Sequence, residues 1–316
     1  MIQLQNLTKR FGRSTAVADL TVAVQPGAVT GFLGPNGAGK STTMRMIVGL
    51  DRPTAGTALV DGRPYAAHRS PLHVVGSMLD SRAMHPGRSG RNHLGSLAAT
   101  HRIPPSRVDE VLGVVGLAEV ADHRAGTYSM GMSQRLGLAA ALLGDPGTLV
   151  LDEPVNGLDP AGIHWMRALL RSLAAEGRTV FVSSHLMGEV ALTADRVVVI
   201  GRGRILTDTT IDAFTAALET ATRVGTSEPG RLLAAIGEAG ADASVEPAGT
   251  LLVRRMEPET IANLALERQI LLHELTPIRP SLEDAYLRLT ADAVQYDSAS
   301  VSTPLSAVGT PTEEQP

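Results

Sequence analysis

Residues 34 to 42 form a loop whose residue types and spacing suit the binding of a polyphosphate. They read Gly34-Pro35-Asn36-Gly37-Ala38-Gly39-Lys40-Ser41-Thr42 and match the pattern G-x-x-x-x-G-K-[ST] in full. The glycines allow backbone N–H groups to curl around a phosphate, and a helix N-terminus placed after them adds partial positive charge. Lys40 supplies an ammonium for the β- and γ-phosphates, and Ser41 offers a hydroxyl to Mg²⁺. The loop therefore predicts a nucleotide site, but kinases, GTPases, helicases and transport ATPases all use such a loop.

Two adjacent carboxylates, Asp152 and Glu153, follow the apolar run Thr148–Leu151. A carboxylate at the carboxyl end of a buried strand is placed to hold Mg²⁺, directly or through water, and we predict this role for Asp152. Glu153 points elsewhere and is predicted to polarise an attacking water. An acidic turn after a strand is common in α/β proteins, but beside a complete phosphate loop the catalytic interpretation is preferred.

Three further segments decide between the nucleotide-binding classes. They are Tyr128-Ser129-Met130-Gly131-Met132-Ser133-Gln134-Arg135, Asn156-Gly157-Leu158-Asp159 and Ser183-Ser184-His185. Together with the phosphate loop and the two carboxylates, they resemble in order and spacing the ATP-binding cassette (ABC) ATPases. The resemblance covers about residues 1 to 205, and as a set these motifs are highly specific.

The resemblance implies a role for each matching residue. Phe11 matches the aromatic residue that stacks on adenine, and residues 34 to 42 match the phosphate cradle. Asp152 matches the residue that supports Mg²⁺, Glu153 the catalytic base and His185 the histidine that contacts the γ-phosphate, with Lys40 also counted as catalytic.

The resemblance also implies a site shared between two subunits. Ser129 and Gly131 match positions of the family's signature motif, which bind the γ-phosphate of a nucleotide held by the other subunit. Asp159 matches the residue that communicates across the dimer. Two cassettes would thus close on two ATP molecules, and the partner would be a second copy of the chain or a homologous ATPase subunit.

The chain departs from the family pattern at two places. Met130 and Met132 stand where the usual signature LSGGQ has its first Gly and its Gln, while Ser129 and Gly131 are kept. Asp80 stands where the family has a glutamine after the segment Val74–Leu79. An ionised Asp only accepts hydrogen bonds, so Asp80 could approach Mg²⁺ but would repel the γ-phosphate. We expect slow hydrolysis unless a partner repositions this loop.

The elements that must hold these residues read as an α/β fold. Apolar runs such as Leu149–Leu151 and Val197–Ile200 favour parallel strands that are buried on both faces. We predict a P-loop ABC-type ATP-binding domain over 1–210, with a helical subdomain over about 88–143. A small accessory α+β domain follows over 211–290, with the order β-α-β-β-α-β and a final helix near Ser281–Leu289. A flexible tail is expected over 291–316.

Composition excludes several other classes of function. The net charge is −4 and only 3% of residues are aromatic, so neither a basic surface nor a base-stacking platform for nucleic acid is indicated. The chain has no cysteine, which removes disulfides and thiolate chemistry. No stretch reads as a membrane-spanning helix.

The leading hypothesis is the ATP-binding and ATP-hydrolysing subunit of an ABC membrane transporter. The segments His85–Leu94 and Leu282–Thr290 resemble parts of the drug- and antibiotic-export branch, which implies an exporter. Separate polytopic membrane subunits would place the chain on the cytoplasmic face of the cell membrane. Two alternatives stay open from the sequence, namely a soluble ABC ATPase that acts on ribosomes or DNA, and a weakly hydrolysing nucleotide-gated binding or immunity module.

Overall fold

The computed structural model describes residues 1–80, 83–216, 220–246, 249–278 and 281–290. The predicted flexible tail, 291–316, lies outside the described residues. Three β-sheets and the helices packed on them account for the described part of the chain.

The central sheet has six strands in the order β5-β6-β7-β3-β8-β9. Five of them run parallel, and β9 pairs antiparallel with β8 at the edge. The strands are β3 (Val29–Leu33), β5 (Val75–Met78), β6 (Thr148–Asp152), β7 (Thr179–Ser184), β8 (Arg196–Gly201) and β9 (Arg204–Thr210). The buried parallel strands predicted from the apolar runs are confirmed: β6 is buried over Thr148–Leu151 and β8 is buried over Val197–Gly201.

A three-stranded antiparallel sheet, in the order β2-β1-β4, packs against the phosphate-loop side of the central sheet. Its strands are β1 (Ile2–Phe11), β2 (Ser14–Val24) and β4 (Ala55–Val60). Apolar residues of all three strands share one core with Phe32 of β3 and Phe181 of β7. The hairpin between β1 and β2 pairs Phe11 with Ser14, and the carbonyl oxygen of Ala16 in β2 lies beside Gly39 of the phosphate loop.

Helices pack around the central sheet, and three of them lie within residues 88–143, the segment for which a helical subdomain is predicted. The helices up to the last parallel strand are α1 (Lys40–Ile47), α2 (Gly90–Thr100), α3 (Pro105–Val114), α4 (Met130–Leu142), α5 (Pro160–Ala175) and α6 (Met187–Thr193). Leu94, Leu112 and Leu136, from α2, α3 and α4, lie in one buried cluster with Leu149 and Leu151 of β6. That cluster fixes the insert against the sheet.

The C-terminal segment contains a four-stranded antiparallel sheet in the order β11-β12-β10-β13, with two helices over one face. The elements are α7 (Ile211–Ala216), β10 (Ala221–Thr226), α8 (Pro229–Glu238), β11 (Asp242–Val245), β12 (Leu251–Arg254), α9 (Pro258–Glu267), β13 (Leu272–Ile278) and α10 (Leu282–Thr290). The predicted β-α-β-β-α-β order is confirmed over β10 to β13, and the strand order is that of a ferredoxin-like fold.

The first and last helices of this segment pack on the cassette rather than on the four-stranded sheet. Phe214 of α7 and Leu282, Ala285 and Tyr286 of α10 share a buried cluster with Val190 of α6 and residues of β3 and β8. Within the described residues, no helix is long and apolar enough to cross a membrane.

Candidate nucleotide-binding site

The phosphate loop connects the carboxyl end of β3 to the first residue of α1, as the motif requires. Gly34 and Gly39 are needed for space as well as conformation. A Cβ on Gly34 would lie 2.4 Å from the Ile200 carbonyl oxygen, and one on Gly39 would lie 2.6 Å from the Ala16 carbonyl oxygen. Gly39 also has φ of 107°, a conformation that side chains with a Cβ disfavour. The cradle is thus held open by glycine between β2 and β8.

The remaining residues of the phosphate loop differ in their burial. Ala38 is buried, and its carbonyl oxygen accepts a hydrogen bond of 3.0 Å from the Gly203 N–H. Asn36 and Gly37 are exposed at the tip of the loop, Ser41 is exposed and Thr42 is half-buried on the first turn of α1. The loop therefore has an anchored base and an open rim that faces solvent.

Lys40 is folded back into this loop. Its side chain is 7% exposed, and its Nζ donates hydrogen bonds to the carbonyl oxygens of Gly34 at 2.6 Å and of Pro35 at 3.2 Å. Burial lowers the pKa of the Lys40 ammonium, while the nearby carboxylates of Glu153 and Asp152 oppose that shift. These contacts hold an ammonium at the floor of a glycine cradle, which is the chemistry that fits a polyphosphate.

Glu153 and His185 meet at the carboxyl edge of the same sheet. Nδ1 of His185 lies 2.8 Å from Oε2 of Glu153, and both side chains are partly exposed. The strand register explains this meeting, because Asp152 pairs with Ser183 and Leu33 pairs with Ser184. The ends of β3, β6 and β7 therefore bring Glu153, His185 and the phosphate loop to one place.

Ser183 is a residue of this site to which the sequence analysis assigned no role. Its hydroxyl donates to Oδ1 of Asp152 and accepts a 3.0 Å hydrogen bond from the Glu153 N–H. One buried hydroxyl thus fixes both carboxylate residues, including Glu153, whose φ is +50°. A hydroxyl residue at the end of the strand that precedes His185 is the signal that could have identified it.

Asp80 lies two residues beyond the end of β5, the neighbour of β6 in the sheet. It is exposed, and the register Met78 to Leu151 places it near the same edge as Asp152 and Glu153. It also borders a groove of about 420 Å³ between the sheet and the helical insert, lined in part by Arg45, His93 and Leu97. The structure therefore puts a negative charge at the edge where phosphates are expected.

The signature residues form a second cluster, on the loop that begins α4. Ser129 is the N-cap of α4, and its Oγ accepts a 3.2 Å hydrogen bond from the Met132 N–H. Gly131 lies against Gly157, since a Cβ on Gly131 would be 3.4 Å from the Gly157 carbonyl oxygen. Met130, the departure from the family pattern, covers Gly157: a Cβ there would be 2.3 Å from the Met130 Cε. The methionine thus packs between the signature and the loop after Glu153.

Asp159 closes that second cluster from the other side. It is the N-cap of α5, and its Oδ1 accepts a 2.8 Å hydrogen bond from the Gly162 N–H. Met130 and Gly131 therefore lie against the loop between Glu153 and Asp159, through their contacts with Gly157. Phe11 lies apart from both clusters, at the tip of the β1–β2 hairpin, and is 50% exposed.

The comparisons with known proteins agree with this geometry. The sequence profile of the ABC transporter family matches residues 17–156. ABC transporter ATP-binding protein YhcH of Bacillus subtilis, itself uncharacterized, is 34% identical over 295 residues, which cover 92% of this chain and 96% of that protein. The chain belongs to the ABC transporter ATP-binding proteins. It is an ABC ATPase that binds ATP, and such proteins are subunits of transporter complexes.

Two further comparisons extend this result to other relatives and to the fold. The bacitracin transport ATP-binding protein BcrA of Bacillus licheniformis is 39% identical over 217 residues, covering 67% of this chain and 70% of that protein. The structure of cbiO1 from Clostridium perfringens, part of the ABC transporter complex cbiONQ, matches with a TM-score of 0.60 and 27% identity over 68% of this ABC ATPase and 90% of cbiO1. These relatives favour a transporter subunit over a soluble ATPase that acts on ribosomes or DNA.

The C-terminal segment of this ABC ATPase matches a different family. A domain of unknown function, DUF8746, covers residues 220–283. These residues span β10 to β13 with α8 and α9, and they also reach the first residues of α10.

Proposed function

We propose that this ABC ATPase binds Mg²⁺·ATP between two subunits and drives the export of drugs, antibiotics or other small molecules through separate polytopic membrane subunits. It would then act on the cytoplasmic face of the cell membrane. The observation that carries the hydrolytic part is the contact of 2.8 Å between Glu153 and His185, at the sheet edge where Lys40 closes the glycine cradle.

Lys40, Glu153 and His185 have different roles in hydrolysis. Lys40 binds the β- and γ-phosphates with its ammonium, for which the Gly34 and Pro35 carbonyl oxygens are the resting partners. Glu153 takes a proton from the attacking water as a general base. His185 orients the Glu153 carboxylate through its Nδ1 and leaves its other ring nitrogen for the γ-phosphate.

The donor set at this edge fits Mg²⁺. Hard oxygen ligands and a partly hydrated site are what this ion prefers, and the Ser41 hydroxyl and the Asp152 carboxylate supply them. Ser183 holds one Asp152 oxygen, so the carboxylate has a fixed direction. Mg²⁺ would neutralise charge on the phosphates, and Asp80 is a further carboxylate that could approach it. Among the described residues no group of three or more His, Cys, Asp or Glu side chains forms a metal site by itself.

The second cluster supports the assembly of two subunits. Ser129 and Gly131 present a hydroxyl and a backbone N–H at the N-terminus of α4, where an anion is favoured. They match the signature positions that in this family bind the γ-phosphate of a nucleotide held by the other subunit, so the phosphate they bind would belong to a partner subunit. Asp159, which matches the residue that communicates across the dimer, would meet that partner.

The export assignment is supported by the named functions of the relatives. The relatives include the bacitracin transport protein BcrA and the lantibiotic transport protein SrtF of Streptococcus pyogenes. They also include the Nod factor export ATP-binding protein I of Burkholderia lata, which is 40% identical over 212 residues. We also propose a cassette over 1–210 with its helical subdomain over 88–143, and an accessory domain over 211–290. Because α7 and α10 pack on the cassette, the accessory sheet is attached to it from both ends.

Nucleotide turnover and nucleotide-driven dimerisation test this proposal together. The purified chain should hydrolyse ATP in the presence of Mg²⁺, and Glu153→Gln should abolish turnover while keeping ATP bound. Glu153→Gln with ATP should then elute as a dimer in size-exclusion chromatography, and Ser129→Asp in that background should elute as a monomer. Turnover unaffected by Glu153→Gln would overturn the catalytic assignment, and a monomer with ATP in the Glu153→Gln variant would overturn the shared site.

A further inference from the structure

We infer that Lys9 is a positioning residue for the nucleobase, acting through the ring of Phe11. This inference rests on the proposed ATP site and adds a residue to it. The residues that carry it lie on β1, at the tip of the hairpin beside the phosphate loop.

Lys9 and Phe11 are two residues apart on one strand, so their side chains project from the same face. Nζ of Lys9 lies 4.9 Å from the centroid of the Phe11 ring, a cation–π contact. The side chain of Phe11 remains 50% exposed. One face of the ring is thus covered by a cation, and the rest is open to a planar ligand.

The ammonium is also held from the other side. Nζ of Lys9 donates a 2.8 Å hydrogen bond to the carbonyl oxygen of Arg52, in the segment that follows α1. Two more hydrogen bonds join the same segment to the strand: the Thr54 N–H donates to the Thr8 carbonyl oxygen at 2.7 Å, and the Arg10 N–H donates to Thr54 Oγ1 at 3.0 Å. The segment after the phosphate-loop helix therefore fixes where Lys9 lies.

The Phe11 end of the hairpin is tied to the phosphate cradle as well. Phe11 pairs with Ser14, and two residues later the Ala16 carbonyl oxygen occupies the space beside Gly39. The contacts of Lys9 with Phe11 and with Arg52 therefore hold the ring on the same hairpin whose Ala16 lies beside the phosphate loop. A cation on the far face also withdraws electron density from the ring, which strengthens stacking with an electron-rich base such as adenine.

The test compares a ligand that has a base with one that has none. We would measure dissociation constants of the full chain, in the Glu153→Gln background, for ATP and for inorganic tripolyphosphate by titration calorimetry. Lys9→Met removes the charge and keeps the length of the side chain. Arg10→Met removes a charge from the other face of the same strand and is the matched control.

The expected result is selective. Lys9→Met should weaken ATP binding by roughly two- to fivefold and leave tripolyphosphate binding unchanged. Lys9→Arg should restore most of the ATP affinity, because a guanidinium also stacks on an aromatic face. In a Phe11→Leu background, Lys9→Met should have no further effect on ATP binding.

Three outcomes would overturn the inference while leaving the proposed function standing. These are an equal loss for both ligands, a loss of the same size in Arg10→Met, or an undiminished effect of Lys9→Met in the Phe11→Leu background. Failure of the parent chain to bind either ligand would instead overturn the proposed function. Thermal unfolding of each variant distinguishes two causes of weaker ATP binding. An unchanged unfolding temperature indicates that the Phe11 ring is displaced, and a lowered one indicates that the hairpin is destabilised.

Discussion

Removing the charge of Asp80 should strengthen ATP binding, and the size of the effect can be worked from the sheet. Asp80 follows β5 and the phosphate loop follows β3, which lie three strand spacings apart, or about 14 Å. The phosphates reach from the loop toward Glu153, which directly follows the intervening strand β6, so we take about 10 Å between the Asp80 charge and a phosphate charge.

Two unit charges about 10 Å apart repel by about 0.4 kcal/mol in water and by about 1.7 kcal/mol at an effective dielectric constant of 20. Asp80→Asn should therefore lower the dissociation constant for ATP by about twofold to about twentyfold. The gain should shrink as salt is added, because the Debye length is about 8 Å at physiological ionic strength. Asp80→Gln should bind ATP at least as well and hydrolyse it faster, since its amide donates a hydrogen bond that a carboxylate cannot.

The assay is ATP binding and ATP turnover at low and at physiological salt, for the parent chain, Asp80→Asn and Asp80→Gln. Glu259→Gln, which removes an exposed carboxylate from α9, controls for the change in net charge. Unchanged affinity and unchanged basal and partner-stimulated turnover in both Asp80 variants would refute the reasoning. A gain of the same size in Glu259→Gln would show that overall charge, rather than the position of Asp80, is responsible.

Three other predictions follow from individual contacts. Because burial lowers the pKa of Lys40 and bound phosphate favours its protonated form, ATP affinity should fall as the pH rises toward the ordinary pKa of a lysine, and Lys40→Ala should lose that dependence in calorimetry. Ser129→Ala should lower the free energy of unfolding by about 1 kcal/mol through loss of the α4 cap, whereas Ser129→Asp should keep the cap and lose only ATP-driven dimerisation. Gly157→Ala should lower the free energy of unfolding by about 1–2 kcal/mol, because the backbone φ of Gly157 is +75°. Adding Met130→Ala should relieve the collision between the Met130 side chain and the new Cβ but should leave the backbone strain. Urea unfolding of both variants would measure these two effects.

Strong local patterns predicted the parts of the fold that bind phosphate. The apolar run before Asp152 and the run before Arg202 are buried strands, and the glycine loop begins a helix where the motif places it. Continuous apolar residues buried on both faces carry this information in the sequence itself.

Strands that lack a continuous apolar run, such as β4 and β5, were not predicted. The residues of β4, Ala55–Val60, begin with three exposed positions and form a strand because they pair with β1 about 50 residues earlier. In β5, Gly76 interrupts the apolar pattern because a Cβ there would lie 2.0 Å from the Ala141 carbonyl oxygen of α4. A helix packed this closely on a strand leaves no periodic signal in the strand.

At the site, too, local motifs identified some residues, whereas contacts between separate elements could not be predicted. The phosphate loop, Glu153 and His185 could be named from their motifs, and the assignment of roles to individual residues stays a prediction. The bond of Ser183 to Asp152, the contact of Met130 with Gly157 and the cation of Lys9 over Phe11 depend on distances between separate elements. Such contacts follow from strand register and helix packing, which no local pattern in the sequence reports.

The most direct test of the proposed transporter function is the recovery of its partner from native membranes. Tagged Glu153→Gln and wild-type chains would be purified from detergent-solubilised membranes, and bound proteins would be identified by mass spectrometry. We predict that one polytopic membrane protein will be recovered with both chains. The complex that contains the wild-type chain should hydrolyse ATP, and the complex that contains Glu153→Gln should not. Recovery of ribosomes or DNA-associated proteins, or of the chain without any membrane protein, would contradict the account.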